Sequence, residues 1–273
     1  MSIPTAAVPE QVSVAHCLLD TAGEVLSERQ GDQRFYAAST IKVHVLLTAL
    51  QAADRGELDL DARVPATFTF AGVDGAPFTL GGDHLDVEDP PAGEHVAVRD
   101  LLERMITRSS NAATDHVVEL LGSGDAVAGA RGLEAVAAAI ADLGLAFTRV
   151  ERLIGDGVAV ERGLTNETSA ADLARTVHAL LGTELLSPSS RELALAALRA
   201  QQIPVIAGAL REGVPWGSKS GWVDGYRHDV AFIGEPDAAG AQVLAVMTSG
   251  LPVAAADARI QQLTRALLPQ VST

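Results

Sequence analysis

Two lysines stand against eighteen arginines in this chain, and each lysine sits in a short motif that has a use for an amine. Lys42 closes Ser39-Thr40-Ile41-Lys42, and Lys219 opens Lys219-Ser220-Gly221. An ammonium is a compact cation that can give up its proton when buried, which a guanidinium cannot do. On a helix, Ser39 and Lys42 share a face, so an amine that loses its proton would lie beside a hydroxyl that needs a base to become a nucleophile. A third motif, Ser109-Ser110-Asn111, breaks a helical pattern and offers two hydroxyls and an amide. The bland alternative is that both lysines snorkel at the surface; three motifs of this kind in one chain weigh against it.

Those residues must be held by the elements around them. Nearly every residue from Ser39 to Asp54 is apolar and Gly56 is a natural stop, which predicts a helix buried on most faces with Ser39 on its first turn, near the positive end of the dipole. Helical periodicity runs through Val98, Leu101, Leu102, Met105 and Ile106, pauses at Ser109, and resumes to Gly122. Further helices are expected over 133–143, from Ser169 to Leu181 behind a capping-box-like Ser169-Ala170-Ala171-Asp172, from Ser187-Pro188 onward, and over 254–268. Strands are expected at 12–20 and 25–30, joined as a hairpin, and at 216–222, 229–233 and 242–249. The segment 63–97 is rich in Gly, Pro and Asp and reads as irregular, with one short strand-like run at 66–70. The loop from about Thr148 to Thr168 is longer than most connections in compact domains, which marks it as functional.

Strands at both ends with helices between them predict a mixed α/β (α+β) fold. One antiparallel sheet is assembled from the two termini and flanked by helices, with a second, all-helical lobe from the middle. The boundaries expected are a single catalytic domain over 1–273, its sheet lobe from about 1–56 and 186–273 and its helical lobe from about 57–185. At 273 residues and 48% apolar content the chain can fill a sizeable core.

Composition narrows the partners. A formal charge of −15 argues against nucleic acid or an anionic membrane surface, both of which require a basic face, and favours a small-molecule substrate. Cys17 is the single cysteine; it excludes an intrachain disulfide and reads as core packing. The seven histidines include no His-x-x-x-His pair, so neither a zinc site nor any other cofactor is expected. Met1-Ser2-Ile3-Pro4-Thr5-Ala6 shows no basic patch leading into an apolar stretch. The expectation is a cytoplasmic protein with no membrane span, or an extracellular or periplasmic one if the sequence is a trimmed piece. Oligomeric state is not readable.

Taken in order and spacing, the three motifs resemble those of the class A serine beta-lactamases and penicillin-binding proteins. The likeness extends to Phe35-Tyr36-Ala37-Ala38 before the serine, to Asp59-Leu60-Asp61, to Met105 through Ala113, and to Gly225 through Ala231, covering about four-fifths of the chain. The resemblance implies Ser39 as nucleophile, Lys42 as its base, Ser109 as proton carrier to the leaving nitrogen, and Lys219 as an electrostatic partner. It implies Asn111, Ser220, Gly221 and Arg227 as substrate-binding residues, and the N–H groups of Ser39 and Trp222 as the oxyanion hole. Arg227 also reads as an ordinary surface arginine. His228 reads either as an auxiliary acid or as a strand histidine bonded to a loop.

The departures bear on turnover. Ser110 stands where class A enzymes carry Asp. Ile154 falls where a glutamate usually activates the deacylating water, and Val158 lies nearest the place of its asparagine partner. Asp156, Glu151 and Glu161 are the acids that could substitute. The expected activity is therefore an acyl-enzyme serine hydrolase acting on beta-lactam amide bonds, with slow deacylation. The alternatives are a hydrolase, acyltransferase or peptidase acting on another amide, ester or peptide, and a non-catalytic binding descendant of the fold.

Overall fold

The computed structural model describes residue 9 and residues 11–123 and 128–273; the stretch Met1 to Ala6, read above for an export signal, lies outside these. In chain order the elements are β1 (Ser13–Leu19), β2 (Val25–Arg29), β3 (Phe35–Tyr36), α1 (Lys42–Asp54), β4 (Arg63–Pro65), β5 (Thr69–Ala71), β6 (Pro77–Thr79), β7 (His95–Ala97), α2 (Val98–Thr107), α3 (Asn111–Leu121) and α4 (Ala128–Asp142). Then come β8 (Arg149–Val150), α5 (Gly157–Glu161), β9 (Asn166–Thr168), α6 (Ala170–Leu181), α7 (Pro188–Arg199), β10 (Trp216–Val223), β11 (Tyr226–Ile233), β12 (Gln242–Ser249) and α8 (Val253–Leu267).

The main sheet runs β10-β11-β12-β1-β2 with every neighbouring pair antiparallel. The N-terminal hairpin thus completes a sheet whose other strands come from the C-terminal part of the chain. Successive side chains on a strand point to opposite faces, and both faces of this sheet are apolar. Val230, Phe232, Val243, Ala245 and Met247 join the larger core with α1, α2 and α6. Ala231, Ile233, Leu244 and Val246 join a smaller core closed by Ile260 of α8 and by Ile206. Each such fully buried large side chain is worth about 1.5–3 kcal/mol. Cys17 lies in the larger core, where burial pushes its thiol up to about 12.

α1 is a helix with almost no polar face: its residues from Lys42 to Leu50 are all buried, and so is Ala52. It runs through the larger core, and that position is what allows a side chain on its first turn to be sealed from water. The capping signals work as expected. The Ser169 hydroxyl accepts from Asp172 N at 3.2 Å at the start of α6. Ser187 caps α7 and also donates through Oγ to Asp54 Oδ1 at 2.5 Å, tying the start of α7 to the end of α1.

The segment 63–97 carries two small strand pairs, β4 with β7 and β5 with β6. The long loop is less irregular than its sequence suggests. It contains β8, α5 and β9, and the order β3-β9-β8 fastens it to the strand that leads into Ser39. Among the described residues no helix is long and apolar enough to cross a membrane.

Candidate active site

β3 delivers the chain to a 3-10 turn, Ala38–Ile41, and α1 begins only at Lys42. Ser39 therefore sits in the tight turn before the helix rather than inside it, as the sequence reading had it. The turn is anchored: Ala37 N donates to Asn166 O at 2.9 Å, and the Thr40 hydroxyl donates to Ala37 O at 2.6 Å. Ala38 has φ +47°, in the left-handed region where a side chain carries strain of about 1–3 kcal/mol. Ser109 has φ +63°, so two strained residues lie at the same site.

Lys42 is fully buried, and its Nζ meets Ser39 Oγ at 3.0 Å, Ser109 O at 2.6 Å, Ser109 Oγ at 3.2 Å and Asn111 Oδ1 at 2.8 Å. An ammonium has three hydrogens, so four acceptors surround one donor group. Burial holds its pKa well below the ordinary lysine value; Lys219 pushes the same way, and Asp115 and Asp89 oppose. Ser109 bridges the two lysines, since Lys219 Nζ donates to Ser109 Oγ at 3.1 Å. Lys219, also fully buried, donates to Ser220 O at 2.7 Å. Burial brings its pKa down to about 7, with Asp229 opposing and Arg227 adding to the fall.

Strand β10 passes directly against the serine turn. A Cβ at Gly221 would lie 2.8 Å from Thr40 N and 2.9 Å from Ser39 N, too close for any side chain, which is the physical reason for glycine there. The next residue, Trp222, is 52% exposed. The structure thus brings Ser39, Lys42, Ser109, Asn111, Lys219, Ser220 and Gly221 together from the 3-10 turn and the start of α1, the α2–α3 junction and β10.

Other expected residues are engaged elsewhere. Arg227 pairs across from Trp222 in the sheet, and its Nε donates to Asp257 Oδ1 of α8 at 2.6 Å. It is a buried ion-paired arginine, not a surface one. His228 is fully buried; Nδ1 accepts from Thr248 N at 3.2 Å, which leaves Nε2 to donate to Tyr36 O at 2.9 Å. Both ring nitrogens are occupied, burial lowers its pKa to about 4, and the strand-histidine reading holds. Ser110 caps α3, accepting from Ala113 N at 3.0 Å and donating to Asp89 Oδ1 at 2.7 Å, so it supports the loop.

In the long loop Ile154 carries no carboxylate, and its N–H donates to Asp115 Oδ1 at 2.9 Å. Asp156 caps α5 through Oδ1, which accepts from Ala159 N at 2.9 Å, while Oδ2 accepts from Val73 N at 2.8 Å. Glu151 accepts from Thr165 N at 2.9 Å across the neck of the loop. Glu161 is exposed at the end of α5, as is Val158. Arg152, buried, donates to the Tyr36 hydroxyl at 2.9 Å and stacks on its ring.

Two residues near the site carry no sequence signal of their own. Asp115, 1% exposed, accepts from Ile154 N at 2.9 Å. In the sequence it is one of two acids on α3, with Glu119; its only clue is a position one turn after Asn111. His84 ends a short turn in the irregular segment, and its carbonyl accepts from Asn111 Nδ2 at 3.3 Å. Burial lowers its imidazole pKa, aided by Arg152 and Lys42. Among the described residues, no group of three or more His, Cys, Asp or Glu side chains is arranged to hold a metal ion.

The beta-lactamase of Sphaerobacter thermophilus is 30% identical, with 96% of this chain and 92% of that one covered at a TM-score of 0.78. An ancestral class A beta-lactamase is 27% identical, with 96% and 95% covered at 0.76. A beta-lactamase from Xanthomonas campestris, 24% identical with 93% and 90% covered, is alike in fold at 0.76. The sequence model of the beta-lactamase enzyme family matches residues 3–271, nearly the whole chain, and the fold is shared with class A beta-lactamases; the chain belongs to that family.

Proposed function

We propose that this protein is a serine hydrolase that forms an acyl-enzyme at Ser39 and takes beta-lactam amide bonds as its substrate class. One observation carries the reading: Lys42 Nζ lies 3.0 Å from Ser39 Oγ in a place where burial and a second cation favour the neutral amine. With Lys42 neutral, the same contact runs from the hydroxyl to the amine. Ser39 then loses its proton to Lys42 as Oγ bonds to the carbonyl carbon. The carbon–nitrogen bond breaks, and the leaving nitrogen takes a proton through Ser109, which touches both lysines.

In this reading the N–H groups of Ser39 and Trp222 receive the developing oxyanion, usually the largest electrostatic term in acyl transfer. Lys219 and Ser220 take the substrate carboxylate, Asn111 takes its amide, and Gly221 lets the strand approach. Arg227 contributes field rather than a direct contact, since its Nε is committed to Asp257. Residues 1–273 act as one catalytic unit, the sheet lobe (about 1–56 and 186–273) supplying α1 and β10 and the helical lobe (about 57–185) supplying α3.

The loop supports slow deacylation. Ile154 has no lone pair with which to orient water, and both carboxylate oxygens of Asp156 already accept backbone N–H groups. That observation favours a second reading, turnover of another ester, amide or peptide whose acyl-enzyme hydrolyses or is transferred more readily. Incubation with a penicillin, followed by intact mass over time and peptide mapping, tests both. A long-lived adduct on the peptide containing Ser39 is expected; an adduct on Ser109 or Ser220 overturns the nucleophile, and no adduct with any beta-lactam overturns the substrate class.

A further inference from the structure

The helix that holds Asn111 also holds a carboxyl group that the mechanism above does not use. Asp115 lies one turn beyond Asn111 on α3, so both side chains project on the same face, and Asn111 Oδ1 is itself 2.8 Å from Lys42 Nζ. One oxygen of Asp115 accepts from Ile154 N at 2.9 Å. The other, Oδ2, is buried with no hydrogen-bond partner among the described residues. A buried carboxylate with a single N–H partner requires a nearby cation or a proton.

Its charged surroundings come from three elements: Lys42 on α1, Glu119 on α3 itself, and Arg152 in the long loop. Lys42 in turn faces Lys219 on β10 and Asp89 from the segment before β7, with His84 close enough to feel it. Glu119 is partly committed, accepting from Ala71 N at 3.2 Å, and Arg152 is engaged with Tyr36. Of the charges around Asp115, Lys42 acts most strongly; of the acids around Lys42, Asp115 acts most strongly, behind the opposing push of Lys219.

We propose that Asp115 is a positioning residue for the base: it is the carboxyl group that balances Lys42 across the α1–α3 contact and so sets the pH range over which Lys42 can take the Ser39 proton. This rests on the reading of Lys42 as the base. Burial drives the Asp115 carboxyl well above its ordinary value and Lys42 well below its own, so burial favours the neutral form of each while their mutual attraction favours the charged one. When Lys42 accepts the Ser39 proton, the new ammonium is formed beside a group that becomes more acidic in response. The same carboxyl holds the backbone of Ile154, which couples the pair to the loop where a deacylation carboxylate is missing.

The test uses the fact that the chain has two lysines. Protein labelled with 13C at lysine Cε gives two side-chain signals, and Lys219→Arg, which keeps the cation, assigns them. Asp115→Asn retains an oxygen for Ile154 N and removes the charge. The Lys42 titration midpoint is expected to fall by about one pH unit, and the acid limb of the acylation rate with a chromogenic cephalosporin to move the same way. An unmoved midpoint in folded Asp115→Asn overturns the proposal, because a merely structural carboxyl would scale the rate without moving the limb. In the unsubstituted protein the Lys42 curve should carry a second inflection where Asp115 titrates; its absence also overturns the pairing. A shifted midpoint in protein that no beta-lactam labels supports the pair and removes the substrate reading, so the two fail separately.

Discussion

Lys42→Arg would keep a cation where Lys42 now meets Ser39, Ser109 and Asn111, but a guanidinium has no neutral form at working pH. Acylation measured by stopped flow should fall by roughly 10²–10⁴-fold. Lys219→Arg should cost less, since that lysine's part is electrostatic; equal losses, or none, would show that the two lysines are kept for another reason. At this scale the sequence was most legible where chemistry demands a residue type. Ser39, Lys42, Ser109, Asn111 and Lys219 could be named because their motifs are short and ordered. Asp115 could not, because an acid on a mixed helix such as α3, which also carries Glu119, looks the same whether it faces water or a lysine. His228 was ambiguous until both ring nitrogens were seen to be occupied.

The loop between β8 and β9 is held by backbone groups of α5 and of residue 73 that converge on Asp156. Asp156→Asn keeps one acceptor and places an amide against the other N–H, so the loop should loosen by about 1–2 kcal/mol. If Asp156 is only a cap, its burst kinetics with beta-lactams should match those of the parent while its melting temperature falls; a new or enlarged burst would identify Asp156 as the deacylation base after all. Long elements were readable because periodicity accumulates over turns: α2, α6 and α7 lie where their apolar spacing and caps put them. The two-residue strands β3 and β8 and the five-residue α5 are too short to show any period, and their existence depends on pairing with distant segments. The late start of α1 has the same origin, since the 3-10 turn at Ser39 is set by Asn166 and by β10 rather than by its own residues.

Across the whole molecule, the buried ionisable groups make stability a function of pH. Lys219 has a folded pKa of about 7 and an unfolded value near 10.5, so between these the unfolded chain binds more protons and stability rises with pH. Cys17, raised to about 12, works in the opposite sense above its unfolded value near 9. The melting temperature should therefore climb between about pH 7 and pH 9, and Lys219→Met should flatten that climb and raise the value at pH 7 by an amount equivalent to a few kcal/mol. A flat profile in the parent would contradict the depressed lysine. The overall architecture was legible from strands at both ends and helices between, because β1, β11 and β12 are seven or eight residues long and mostly buried. The small sheets within 63–97 were not, being built from polar, Gly-rich segments whose pairing no local pattern announces.

Both lysines are at 0% exposure, and this makes the chain an unusual substrate for a lysine-specific endoproteinase. Such an enzyme has two cleavage points in the described chain, after Lys42 and after Lys219, and neither peptide bond can enter its cleft while α1 and β10 are in place. Cutting awaits an opening that breaks the serine turn or the sheet itself, so the rate at which fragments 1–42, 43–219 and 220–273 accumulate counts the openings of the catalytic centre. A ligand acylating Ser39 would be read as protection from digestion, with no chromophore needed.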